Sequence, residues 1–569
     1  MKRQPIKFSD YPFIIPDEKK YSKKCELFIN QLKACQSAQE TLKVINRINN
    51  YFEEIETQAC VIYVFYSCNT DKEEYKAAQE KMDEMSPLIS KYQTEMMKIL
   101  SNSKFRPELE KKLGSFLFKK YDASLKAFDE KIMPELVKEN KLVSEYDMIC
   151  GSAQIDFRGQ ALNLSQLGKY MQDIDRNTRK EAAQAMDNWL KENEAKIGQI
   201  YDDLVHLRTE IAHKLGFDSF TELGYLRMGR TDYNAEMVEG YRHQIEKEVV
   251  PLCQKLYKVQ MKNLGIRKPQ HYDYNLMFAS GNAAPAGDAK YLVDQAHKMY
   301  TDLGPESKEF FDLMVNNGLM DLEARKGKAP GGYCITFPLY KSPFIFSNFN
   351  GTEGDVNVLC HEGGHALQSF LSSNIKIPEY RTPTMESAEI HSMSMEFFSW
   401  PYMEGFFGKD AEKYKYSHLA DSIEFLPYGA TIDEVQHWVY AHPNATHDER
   451  CAEFRRIEIK YTPHKKYDDT PTLEKGTRWL RQGHVFAAPF YYIDYTLAQV
   501  VAFQFAIENM KNHEKTWKKY IKLCKCGGKY PFLTLLEKNH LRNPFEEGNI
   551  RKVIKPLEKV LKSFDPSKM

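Results

Sequence analysis

The sequence predicts a mainly α-helical fold with a small β-sheet just ahead of a histidine-bearing helix. Apolar residues recur at spacings of three and four along most of the 569 residues. Strand-like text is concentrated at 331–349, GGYCITFPLYKSPFIFSNF, which is rich in aromatic and β-branched residues and punctuated by glycine and proline. There is no internal repeat and no long low-complexity segment.

Taken in order, residues 18–140 read as successive amphipathic helices, within an N-terminal helical portion of 1–150 and ahead of a larger portion of 151–569. A chain of this length exceeds what one core usually organises, so two domains or one large lobed domain are expected. Near 154–166 the text alternates and carries a turn signal, so a small hairpin is expected. A long helix resumes over 176–217, with Gly216 as its stop. The segment 279–289, ASGNAAPAGDA, is the clearest loop. After the strand-like region the chain reads as helical to its end.

Composition excludes some function classes. The chain is 42% apolar, 13% aromatic and 28% charged, as in soluble globular proteins, and 79 basic residues balance 79 acidic ones. That leaves no electrostatic reason for nucleic acid or an anionic membrane as the main partner. The eleven cysteines are odd in number and scattered. The opening MKRQPIKFSDYPFIIP has no apolar run long enough for a signal peptide. Together these favour a reducing cytoplasm and free thiols, with Cys524 and Cys526 structurally unremarkable. The longest apolar tract, 485–507, contains Pro489, Asp494 and two glutamines and reads as a buried helix.

The stretch DVNVLCHEGGHALQSF, 355–370, carries chemistry. On a helix His361 and His365 project from one face one turn apart, and both imidazoles reach the same ion. Glu362 points to another sector, where it meets a water without ligating. This is the H-E-x-x-H arrangement of zinc sites, which predicts one zinc per chain. A chance match is expected in only about a few per cent of such chains. It also leaves Gly363 and Gly364 unexplained, since each costs about 1 kcal/mol in a helix interior relative to alanine. Two such residues imply that another backbone packs close to this turn. Asp355 is the expected N-cap, and Val356, Leu359, Ala366 and Phe370 supply the core-facing side. The third ligand is expected from the helix after Pro383. The candidates are Glu386, Glu389 and Glu396, with His391 as an outsider. Glu386 lies 21 residues after His365, close to thermolysin-like spacing, and Glu389 lies 24 after it. Spacing alone leaves both open. Glu389, Ser392 and Glu396 share one face, so one can ligate while another supports a ligand.

These residues resemble a known family. GTEGDVNVLCHEGGHALQSF followed by ESAEIHSMSMEFF looks like the thimet oligopeptidase and oligoendopeptidase F zinc metallopeptidases, the oligoendopeptidase F branch most of all. The family's third ligand lies in an E-x-x-S-x-x-x-E pattern, matched here by Glu389, Ser392 and Glu396. The resemblance therefore implies that Glu389 ligates and Glu396 supports. Gly363 stands where the family usually has a bulky residue. Further likeness lies in 329–352, in 208–233 (RTEIAHKLGFDSFTELGYLRMGRTDY) and in 483–499 (GHVFAAPFYYIDYTLAQ). The resemblance implies two helical lobes around a deep channel that admits short peptides.

The chemistry expected is peptide hydrolysis, with Glu362 as general base. Oxyanion donors are sought in 483–495. Pro489 suits a first helical position, so a helix is expected from near Ala488, with His484 in a loop before it. Tyr492 and Tyr495 lie three apart, and Tyr491 and Tyr495 four apart. The resemblance favours His484, Tyr492 and Tyr495, with Tyr491 a rival to Tyr492. The edge of the 331–349 sheet is expected to pair with an extended peptide, Gly331 and Gly332 allowing close approach, and to account for Gly363 and Gly364. The alternatives are a zinc carboxypeptidase or dipeptidase, and an inactive peptide-binding protein.

Overall fold

Strands form where aromatic and β-branched residues cluster between glycines and prolines, and they are few. A computed structural model describes residues 6–569; residues 1–5, the basic start of the opening segment, lie outside the described residues. Strands β1 (Ile155–Phe157) and β2 (Gln160–Leu162) make the expected hairpin. Its two-residue turn, Arg158–Gly159, has φ of 54° and 78°, the left-handed pair that matches strand twist. Three more strands, β3 (Met320–Glu323), β4 (Tyr333–Phe337) and β5 (Ser342–Phe349), form a second sheet in the order β3-β5-β4. β4 runs antiparallel to β5, as its proximity in sequence allows, and lies at an edge. β3 pairs parallel to β5 and was not legible, because four residues show too little alternation.

The helices follow the apolar periodicity. The longest, Arg176–Lys214, begins at Asp175, whose carboxylate accepts from Asn177 N and Thr178 N. It ends before Gly216, at φ 87°. The H-E-x-x-H helix, Glu353–Ser372, starts three residues earlier than expected, with Thr352 at its N-cap position. Asp355 is therefore not its N-cap. It sits inside the first turn, and its carboxylate accepts from Asn350 N (2.9 Å) and Gly351 N (2.7 Å) in the preceding loop. Val356, Leu359, Ala366 and Phe370 are buried as expected. Burying Val356, Leu359 and Phe370, at about 1.5–3 kcal/mol each, outweighs about 1 kcal/mol for each glycine.

The described chain divides into two compact units. The first comprises the chain up to Lys126, Pro285–Phe406 and Glu508–Asn539. Its N-terminal helices pack around Tyr21, Phe28, Ile48, Tyr92, Met96 and Phe118. It also holds the three-stranded sheet, the H-E-x-x-H helix and the helix Met385–Phe398. The second comprises Ala127–Ala284, Phe407–Ile507 and His540–Met569. It holds the hairpin, the long helix Arg176–Lys214, the helix Ala411–Ala441 and most of the helix Tyr492–Lys511. All eleven cysteines are free thiols. Among the described residues no helix is long and apolar enough to cross a membrane.

Candidate metal centre and active site

Helical spacing brings His361 and His365 together in the first unit, with ring centroids 5.1 Å apart and planes at 81°. Glu389 on the neighbouring helix completes the group. Its Oε2 lies 3.3 Å from His361 Nε2 and 3.4 Å from His365 Nε2. The three donor atoms lie within 4.8 Å of one another. Two imidazole nitrogens and one carboxylate oxygen suit zinc, with a position left for water.

The surrounding groups orient these donors. Glu396 Oε1 lies 2.7 Å from His361 Nδ1, a hydrogen bond that holds the ring with Nε2 facing Glu389. Ser392 Oγ donates to Glu389 Oε2 at 2.9 Å. Burial opposes charge on both partners, yet their mutual attraction outweighs it. His365 and His361 hold the Glu389 carboxyl well below its usual range. Glu389 and Glu396 hold the His361 imidazolium well above its own. Glu386 and His391 are buried on the same helix but lie outside the group of three.

The two glycines are explained differently from expectation. A Cβ on Gly363 would lie 2.1 Å from Tyr300 Oη. A Cβ on Gly364 would lie 2.5 Å from His391 O and 2.7 Å from Ser392 Cα. The close backbone is thus the helix that carries Glu389, not the sheet edge, and Gly363 makes room for a tyrosine from Ala289–Leu303. Gly364 sets how near Glu389 comes to the imidazoles. Gly364→Ala should force the helices apart, destabilise the fold by about 1–3 kcal/mol and weaken zinc binding. Denaturant unfolding alongside zinc titration measures both.

Glu362 is half-buried on the same helix. Strand β4 runs beside it: Thr336 Oγ1 lies 2.5 Å from Ser369 Oγ, and the Cys334 thiol is pushed up by burial and by the Glu362 carboxylate. Gly331, at φ 89°, makes the turn into this strand, and Gly332 lets it approach Phe346 O, 3.3 Å from where a Cβ would sit.

His484, Tyr491, Tyr492 and Tyr495 gather in the second unit. The His484 ring centroid lies 5.8 Å from Tyr491, 5.2 Å from Tyr492 and 5.7 Å from Tyr495. The local structure differs from expectation. His484 sits on a short helix, Gly483–Ala487, rather than in a loop. The next helix begins at Tyr492, not near Ala488, because Phe490 adopts φ 66° and breaks the run after Pro489. Tyr428 Oη donates to Gln482 Oε1 at 2.8 Å, and Gln482 Nε2 then donates to His484 Nδ1 at 2.9 Å. This leaves the His484 proton on Nε2, as a donor.

The profile of peptidase family M3 matches residues 169–553, most of the chain. The chain belongs to peptidase family M3. The peptidase M3 N-terminal domain matches residues 8–128. Oligopeptidase PepF of Bacillus subtilis (strain 168) is 23% identical over 290 residues, 50% of this chain and 42% of that protein. An oligoendopeptidase F homolog of Mycoplasma genitalium is 23% identical over 327 residues, 53% of this chain and 52% of that one. The M3 chain thus spans about half the length of the curated relatives it matches. Solved structures match along nearly the whole chain. PZ peptidase A with an inhibitor is 44% identical, with a TM-score of 0.95 over 99% of this chain and 100% of its own. A Bacillus anthracis (str. Ames) protein assigned as an oligoendopeptidase F is 43% identical, with a TM-score of 0.90 over 99% of both chains.

Proposed function

We propose that this M3 peptidase is a zinc-dependent oligoendopeptidase that hydrolyses internal bonds of short peptides. The observation that carries this reading is the meeting of His361, His365 and Glu389, with Glu396 behind His361. These three residues would hold one zinc per chain. Zinc bound there supplies Lewis-acid polarisation of the scissile carbonyl and a lowered pKa for the attacking water.

The chain's own residues do the rest. Glu362 takes the proton from the water as its oxygen bonds to the carbonyl carbon. It then gives that proton to the amine nitrogen as the C–N bond breaks. We assign stabilisation of the oxyanion to His484 Nε2–H and the phenols of Tyr492 and Tyr495. Tyr491 stands as the alternative to Tyr492, its ring centroid 5.8 Å from His484 against 5.2 Å for Tyr492. Strand β4, at the sheet edge beside the Glu362 helix, suits main-chain pairing with an extended substrate, which is indifferent to side chains. We read residues 1–150 as a helical lobe accompanying a catalytic portion at 151–569. The free thiols support a reducing, cytoplasmic setting.

A peptide of about ten residues should be cleaved far faster than a folded protein, and at internal bonds. Product mapping by mass spectrometry checks both points. Equal rates on the two substrates would remove the preference for short peptides. Cuts confined to one terminus would make the protein an exopeptidase.

A further inference from the structure

The stretch 208–233 carries two arginines that the reaction does not use. Arg208 and Arg230 are fully buried in the second unit. A buried guanidinium is tolerated only when paired, and each has its carboxylate. Arg208 Nε donates to Glu139 Oε1 at 2.7 Å, and Arg230 Nη2 to Asp494 Oδ1 at 2.6 Å. Each also donates to a main-chain carbonyl within 483–495. Arg208 Nη2 reaches Phe486 O, and Arg230 Nη2 reaches Phe490 O at 2.5 Å.

Phe486 lies in the short helix that bears His484, and Phe490 lies in the break, 488–491, before the helix that bears Tyr492 and Tyr495. Phe490, at φ 66°, lies in the left-handed region, which a bulky side chain rarely adopts. Such a conformation persists only where its surroundings over-determine it. Three further anchors do so here. Phe490 N donates to Gln436 Oε1 at 2.9 Å. Its ring packs among Tyr225, His437 and Tyr440. Gly224 makes room for that ring, since a Cβ there would lie 2.7 Å from Phe490 Cδ2.

We propose that Arg208 and Arg230 are positioning residues. By gripping the Phe486 and Phe490 carbonyls they fix the angle between the two helices and preorganise His484, Tyr492 and Tyr495 as one donor cluster. The inference rests on the catalytic reading of that cluster. Both arginines are buried, so their role runs through the cluster.

The test is a double-mutant cycle on the zinc-loaded full chain. Arg230→Met combined with Asp494→Leu removes the pair without stranding a buried charge. It should keep its helical circular dichroism and its zinc, lower kcat about 10²-fold and leave KM within a few-fold. Adding Tyr495→Phe should cost little more, because the phenol is already misplaced. Arg230→Lys, which keeps the charge but not the fork, repeats the cycle if the double variant does not fold. Unchanged kcat in the variant that folds, or a fully additive Tyr495→Phe effect, would overturn the positioning role. If Tyr495→Phe and His484→Ala both turn over like wild type, the catalytic reading of the cluster fails and the positioning role falls with it.

Discussion

Glu362→Gln should lower turnover by about 10²–10⁴-fold while the chain keeps its zinc. Glutamine preserves the size of the side chain and suits a helix, so the helix Glu353–Ser372 should be undisturbed. Glu362 is not one of the three residues whose donor atoms converge, so the amide removes no ligand. In the proposed mechanism, what it removes is the capacity to accept a proton from water and return it to the leaving amine. The measurement is kcat and KM on a quenched fluorescent peptide, with zinc content determined on the same preparation. A variant that stays active would mean Glu362 is not the base. A variant that loses zinc would mean its carboxylate belongs to the metal site.

Glu389→Ala should lose zinc and Glu386→Ala should keep it. Both carboxylates are buried on one helix, a single turn apart, so their surroundings differ less than their effects should. Glu389 lies within ion-pair distance of both imidazoles, and Glu386 lies outside the group of three donors. Removing it takes away one donor of three and the carboxylate that Ser392 supports. The loss of affinity should exceed the roughly 10–100-fold typical of removing an outer partner. Competition titration with a zinc chelator ranks the two variants. The reverse order would restore the thermolysin-like spacing.

Local signals were legible in the sequence, and long-range ones were not. His361, Glu362 and His365 were readable because helical geometry alone places residues four apart on one face. The hairpin was readable because an Arg–Gly turn between alternating residues has few other solutions. The third ligand was harder. Residue spacing left Glu386 and Glu389 open, since the choice depends on how two helices meet at Gly364; the family pattern pointed to Glu389. Asp355 looked like a cap because its type and place fit, but its carboxylate serves two loop N–H groups upstream. Pro489 looked like a helix start, but the conformation of Phe490 next to it is imposed from residues 224, 230 and 436, which no local window contains. The same holds for Arg208 and Arg230. In sequence they are two basic residues in a family-like stretch, and only the fold joins them to Glu139 and Asp494.

Metal analysis of the purified chain, paired with chelation, is the deciding measurement. One zinc per chain is expected, with peptide hydrolysis abolished by a chelator and restored when zinc is returned. A metal-free chain that hydrolyses peptides equally well with and without the chelator would contradict the zinc peptidase reading.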